Sequence, residues 1–253
     1  MQNIILKIDS LSYSYHNLSG ETQALENLSF HVKKGEFLAI VGPSGCGKST
    51  ILSLIAGLLK PEQGSVSFFT ESGRKPGIGY MLQHDHLLEW RSVWKNVTLG
   101  LEIADRMTPE NIEYVQKMLE DYGLLPFADK KPHELSGGMK QRAALIRTMA
   151  LKPDILLLDE PFSALDYQTR LTVSGDIASI IRKAHKTAIL ITHDLSEAIS
   201  LSDRVLVLSN RPASVKADFD IHLTLPDDSP LAARKAPEYS FYFNQIWEEL
   251  VYE

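Results

Sequence analysis

The stretch FLAIVGPSGCGKST, Phe37 to Thr50, decides the fold. It opens on an apolar run with the length of a buried strand and closes on a turn that fits G-x-x-x-x-G-K-[ST]. Lys48 to Gly57 then reads as a helix stopped by glycine. A strand, a glycine-rich turn and a helix in that order form a cradle for phosphate. Gly42, Gly45 and Gly47 let the backbone turn so that successive N–H groups point inward, with Pro43, Ser44 and Cys46 filling the remaining positions. The positive end of the helix lies behind them. Lys48 can reach the outer phosphates as a point charge. The Ser49 hydroxyl suits Mg²⁺, and Thr50 suits a position nearer the α-phosphate. Cys46 reads as a small loop residue; a redox role for a thiol at a helix N-terminus is the alternative.

A second set of residues belongs beside that cradle. ILLLDEP, Ile155 to Pro161, is an apolar strand leaving the sheet through two acids. Ligands of open α/β sheets bind at the carboxyl edge. Asp159 is therefore a candidate for holding Mg²⁺, and Glu160 for the general base that polarises an attacking water. His193 ends ILITH, the next apolar strand, and either hydrogen-bonds the γ-phosphate or serves as a capping or core residue. Gln83 follows IGYML and offers an amide donor and acceptor to Mg²⁺ and the water.

Further candidate strands lie at Asn3–Tyr15, Ser65–Phe69, Arg204–Ser209 and Ser214–Leu223. Helices are expected from Thr108–Pro109 to Gly123, from about Gly138 to Ala150, for about 20 residues from near Leu165, and from Leu195. Strands alternating with helices argue an α/β sheet. The run from about His84 to Ala150 carries helical patterning only, as an insertion would. With 253 residues and a net charge of -6, the chain can bury a sizeable core and does not advertise nucleic-acid binding. Its single cysteine, Cys46, fits a reducing compartment. The sequence has neither a signal-peptide start nor a run of about 20 apolar residues, so it is expected in the cytosol or on a membrane through a partner.

LSGGMKQR, Leu135 to Arg142, resembles the signature motif of ATP-binding cassette (ABC) ATPases. The phosphate loop, Gln83, the signature, Ile155–Glu160, Ser163–Asp166 and His193 stand in that family's order. The resemblance spans about Asn3 to Leu208. It implies an α/β fold: a P-loop NTPase (RecA-like) sheet core with N-terminal antiparallel β strands and an inserted α-helical subdomain. The cassette would cover 1–225, the insertion about 84–150, and a short helical tail 226–253. Met139 stands where the family commonly has glutamine.

The resemblance also implies ATP and Mg²⁺ as cofactors and a second copy of the chain, or a paralogous cassette, as partner. Each ATP would lie between the phosphate loop of one subunit and Ser136, Gly137 and Gly138 of the other. The glycines would then cost helix propensity that only nucleotide and partner offset. Tyr15 matches the aromatic that stacks on adenine, with Tyr13 competing, and Asp166 would belong to the loop that crosses the interface. Lacking a membrane span, the chain is similar to the separate ATPase subunits of nitrate, sulfonate and taurine importers. Such a subunit sits on the cytoplasmic face of the inner membrane. It works with a permease, contacted near Trp90, Val93 and Trp94, and indirectly with a solute-binding protein. Those aromatics read equally as subdomain core, and Glu89 replaces the group's usual proline. An ABC exporter subunit and a soluble non-transport ABC ATPase are the other readings.

Overall fold

A computed structural model describes residues 3–17, 20–70, 73–225 and 229–251. The expected tail boundary at Pro226 and the last residues, Tyr252 and Glu253, lie outside them. In chain order the elements are β1 (Ile4–Asn17), β2 (Gly20–Lys33), β3 (Phe37–Val41), α1 (Lys48–Ala56), β4 (Gln63–Phe68) and β5 (Ile78–Met81). Next come α2 (Val93–Val97), α3 (Leu99–Ile103), α4 (Pro109–Asp121), α5 (Gly137–Met149), β6 (Ile155–Asp159) and α6 (Tyr167–Lys183). The chain continues through β7 (Thr187–Ile191), α7 (Leu195–Leu201), β8 (Arg204–Leu208), β9 (Val215–Asp220), α8 (Pro230–Lys235) and α9 (Tyr239–Val251).

The described residues build two sheets. One is antiparallel, in the order β2-β1-β4; the other runs β5-β6-β7-β3-β8-β9 and is parallel except for its edge strand β9. Every residue of β3, β6, β7 and β8 is buried, as strands covered on both faces require. Because side chains alternate along a strand, each strand feeds two cores. Ile155 and Leu157 face the layer of α1 and the antiparallel sheet, with Ile51, Leu52, Leu6 and Ile8. Leu156 and Leu158 face α5 and α6, with Leu145, Ile146, Ile177 and Ile181. A third cluster joins Val205, Val207 and Ile199 to Ile246 of α9, so the tail helix packs on the sheet.

Strand β2 is not marked by alternation, because its first half is mostly exposed and polar. The short helices α2, α3 and α8 are too brief for a helical period to register. Helix α6 begins at Tyr167, two residues later than the sequence suggests, because Asp166 caps it by accepting the Thr169 N–H at 3.1 Å. No strand occurs between 84 and 150. Val93, Val97, Leu101, Val115 and Leu119 pack on α5 there. Among the described residues no helix is long and apolar enough to cross a membrane.

Candidate functional site

Sheet order assembles the site. Strands β5, β6, β7 and β3 are parallel neighbours, so their carboxyl ends point the same way. Gln83 follows the first, Asp159 and Glu160 leave the second, His193 leaves the third, and Gly42–Gly47 leaves the fourth. Ser44, Gly45, Gly47, Lys48, Ser49 and Thr50 line a cleft of about 690 Å³ there, together with Gln83, Glu160 and His193.

The loop is built for close approach. Gly45 and Gly47 have φ of +75° and +121°, which only glycine adopts readily. Gly42 corrects the expectation, since its φ is not left-handed. A side chain there would meet Leu208 Cβ at 3.0 Å and Cys46 Sγ at 3.1 Å, so packing against β8 demands the glycine. No side chain caps α1, which leaves its first N–H groups to an anion. Lys48 is buried and donates to the carbonyls of Gly42 and Pro43 at 2.8 and 2.9 Å. Cys46 is buried, and that burial pushes its thiol above the usual range, which disfavours a reactive thiolate.

The acids are held differently. Asp159 accepts from Ser49 Oγ at 3.1 Å and lies 3.5 Å from the Tyr80 hydroxyl. Burial raises its carboxyl, and it raises the Tyr80 phenol to about 12, with Asp159 adding to that shift. Tyr80 gives no signal in the sequence beyond its place at a strand end. Ser49 and Asp159 place two hard oxygens side by side, and Gln83 on the same cleft carries a third in its amide, a donor set that fits Mg²⁺. Glu160 sits at a φ of +44°, an uncommon conformation for a side-chain-bearing residue. Its N–H is held by the Ile191 carbonyl at 2.9 Å. Its Oε2 takes both Gln83 Nε2, at 3.3 Å, and His193 Nδ1, at 3.1 Å.

The other expected residues lie around this cleft. The Tyr15 hydroxyl is 3.0 Å from Thr50 Oγ1 and its ring stands edge-on to Tyr13. Tyr13 packs against the core while Tyr15 stays 43% exposed, so of the two only Tyr15 presents a face beside the loop. Ser136 caps α5, accepting the Met139 N–H at 3.4 Å. Gly138 corrects the idea that only a partner offsets its cost. It is buried, and a side chain there would meet Val173 Cγ2 at 3.0 Å and Thr169 Cγ2 at 3.1 Å on α6. Gly137 is exposed and meets only Leu165 Cδ2, at 3.1 Å. The signature and Asp166 lie outside the residues lining the cleft.

Val93 is fully buried, which removes it from any docking groove, and Trp94 is half-buried against the same core. Trp90 is 74% exposed. Buried Asn96 fixes the turn that carries it, accepting from the Leu88 N–H at 2.7 Å and donating to the carbonyls of Leu88, Arg91 and Ser92. Arg147 of α5 donates to the carbonyls of Asp85 and His86, tying the segment after Gln83 to the signature helix.

Comparison with known proteins agrees with this layout. Residues 25–163 match the family model described as ABC transporter. The chain belongs to the ABC transporter ATP-binding family. It is 44% identical over 250 residues to the uncharacterized ABC transporter ATP-binding protein YtlC of Bacillus subtilis, covering 97% of this chain and 95% of that one. It is 37% identical to the nitrate import ATP-binding protein NrtD of Synechocystis, covering 95% and 93%. Among solved structures it resembles the ATP-binding cassette MJ0796, a dimer in a post-hydrolysis state bound to ADP and Pi. That match has a TM-score of 0.72 and 30% identity, covering 86% of this chain and 99% of that one. As a family member this protein is an ATP-binding ATPase.

Proposed function

We propose that this ABC ATPase powers a bacterial importer for a small solute of the nitrate, sulfonate or taurine kind. The observation that supports ATP hydrolysis as its engine is the contact of Gln83 and His193 with one oxygen of Glu160, beside the phosphate loop. Two copies pair head to tail around ATP, each lending Ser136, Gly137 and Gly138 to the other's γ-phosphate. Tyr15 stacks on adenine. The N–H groups of Ser44–Thr50 and the Lys48 ammonium hold the phosphates and neutralise charge as it develops. Ser49, Asp159 and Gln83 would hold Mg²⁺, which would supply charge neutralisation for the phosphates when bound. Glu160 keeps Oε1 for a water, takes its proton, and is aligned by Gln83 and His193 through Oε2. The NrtD relative and the nitrate/sulfonate/taurine resemblance support the import direction.

In this reading residues up to about 225 form the cassette, with 84–150 inserted as a helical subdomain and a helical tail after it. The subunit sits on the cytoplasmic face of the inner membrane, with the exposed Trp90 meeting the permease and a solute-binding protein completing the system. Reconstitution in liposomes with the membrane subunit that copurifies tests this. ATP on the side of this chain should drive solute toward that side; movement the other way would make it an exporter subunit. Trp90→Ala should leave melting unchanged and weaken assembly by roughly 2 kcal/mol, as truncating an aromatic anchor does.

A further inference from the structure

Two loops of the site leave different strands: Ser163–Asp166 after β6, and the His193 turn after β7. One side chain touches both. Arg170, in the first turns of α6, donates from Nη2 to the Leu165 carbonyl at 2.9 Å. Its Nη1 lies 3.5 Å from Asp194 Oδ2, and its Nε lies 3.8 Å from Glu197 Oε1. Asp194 caps α7, taking the N–H groups of Ser196 and Glu197 on Oδ1. Glu197 is buried and accepts from the Thr192 hydroxyl at 2.6 Å, and the Thr192 oxygen accepts the Asp194 N–H at 3.0 Å. The residues on both sides of His193 are therefore tied, directly or through Glu197, to the guanidinium that holds the carbonyl preceding Asp166.

A flat guanidinium suits this task because its N–H groups diverge in fixed directions: Nη2 hydrogen-bonds the carbonyl while the remaining charge lies against the two carboxylates without hydrogen-bonding from Nε. A lysine ammonium keeps the charge but not that reach. With its side chain only 23% exposed, Arg170 has limited room to exchange these partners for water. Contacts of this kind carry coupling when they join elements with two arrangements.

We propose that Arg170 is a positioning residue that transmits engagement of the Asp166 loop by a second chain to the His193 turn, and so to Glu160, in its own chain. This rests on the paired-cassette reading. A displaced Leu165 carbonyl pulls the guanidinium, which moves against Asp194 and Glu197 and shifts His193 relative to the Glu160 oxygen it contacts. Commitment to hydrolysis in one site thereby depends on the partner being seated.

The test is ATP hydrolysis against ATP concentration, with ATP-driven dimerisation followed by sedimentation, on the full chain. The wild type should be cooperative, with a Hill coefficient approaching about two, the number of sites. Arg170→Lys and Asp194→Asn each keep a polar group in place, the latter with an oxygen still able to cap α7. Both should melt near the wild type and bind ATP normally. Both should lose cooperativity and about tenfold in kcat, as a severed coupling does. Adding Asp166→Ala should lower cooperativity in the wild type and change nothing further in Arg170→Lys. A purely structural Arg170 would lower melting and leave the Hill coefficient alone; that result, or additive Asp166→Ala effects, overturns the proposal while pairing stands. A wild type that neither dimerises with ATP nor shows cooperativity overturns pairing itself, and the coupling with it.

Discussion

Glu160→Gln protein is expected to bind ATP as the wild type does and to turn it over about 10²–10⁴-fold more slowly, the usual loss on removing a general base. The amide has the shape of the carboxylate, so the fold has little to repack. The backbone remains held at Ile191. The amide oxygen can still accept the Gln83 N–H. What disappears is the capacity to take a proton from water and the negative charge facing His193. ATP then stays intact, and species that need ATP accumulate, so the variant should sediment as a dimer with ATP and as a monomer without it. Single-turnover hydrolysis checks the rate, and an unchanged rate removes Glu160 from the chemistry.

The adjacent glycines should separate two demands on one helix end. Gly138→Val puts branched carbon against Val173 and Thr169, themselves branched and on a helix that cannot easily give. Overpacking of this kind costs about 1–3 kcal/mol. At roughly 2–4 °C per kcal/mol for a chain of this size, calorimetry will resolve the loss. Gly137→Ala meets only the end of the flexible Leu165 side chain and gains helix propensity. It should melt at or above the wild-type temperature. Its ATPase should nevertheless fall by about 10²-fold, comparable to losing one donor to a developing charge, because the exposed methyl intrudes between the paired chains. Full activity in Gly137→Ala would show that no partner phosphate approaches that N–H.

The chemistry legible in the sequence is the chemistry carried by contiguous residues. Phe37–Thr50 announces a strand, a turn and a helix, and ILLLDE announces a buried strand with acids at its end. Residues whose reason lies across the fold are opaque. Gly42 is required by Leu208, and Gly138 by two side chains on α6. Trp90, Val93 and Trp94 look equivalent in sequence, yet burial separates Val93 from Trp90 completely. Strand β2 hides because its outer half has no core to alternate against. Arg170 is an ordinary helix cation until α6 brings it between two loops.

One measurement reaches the central claim, that each catalytic centre is made from two chains. Ser136→Phe protein keeps its phosphate loop and Glu160 but presents a blocked signature. Glu160→Gln protein keeps its signature but lacks the base. Each alone should be inactive. Mixed, they should hydrolyse ATP, because the loop and Glu160 of the first meet the intact signature of the second. A mixture as silent as its parents, with mixed dimers present, would contradict the account.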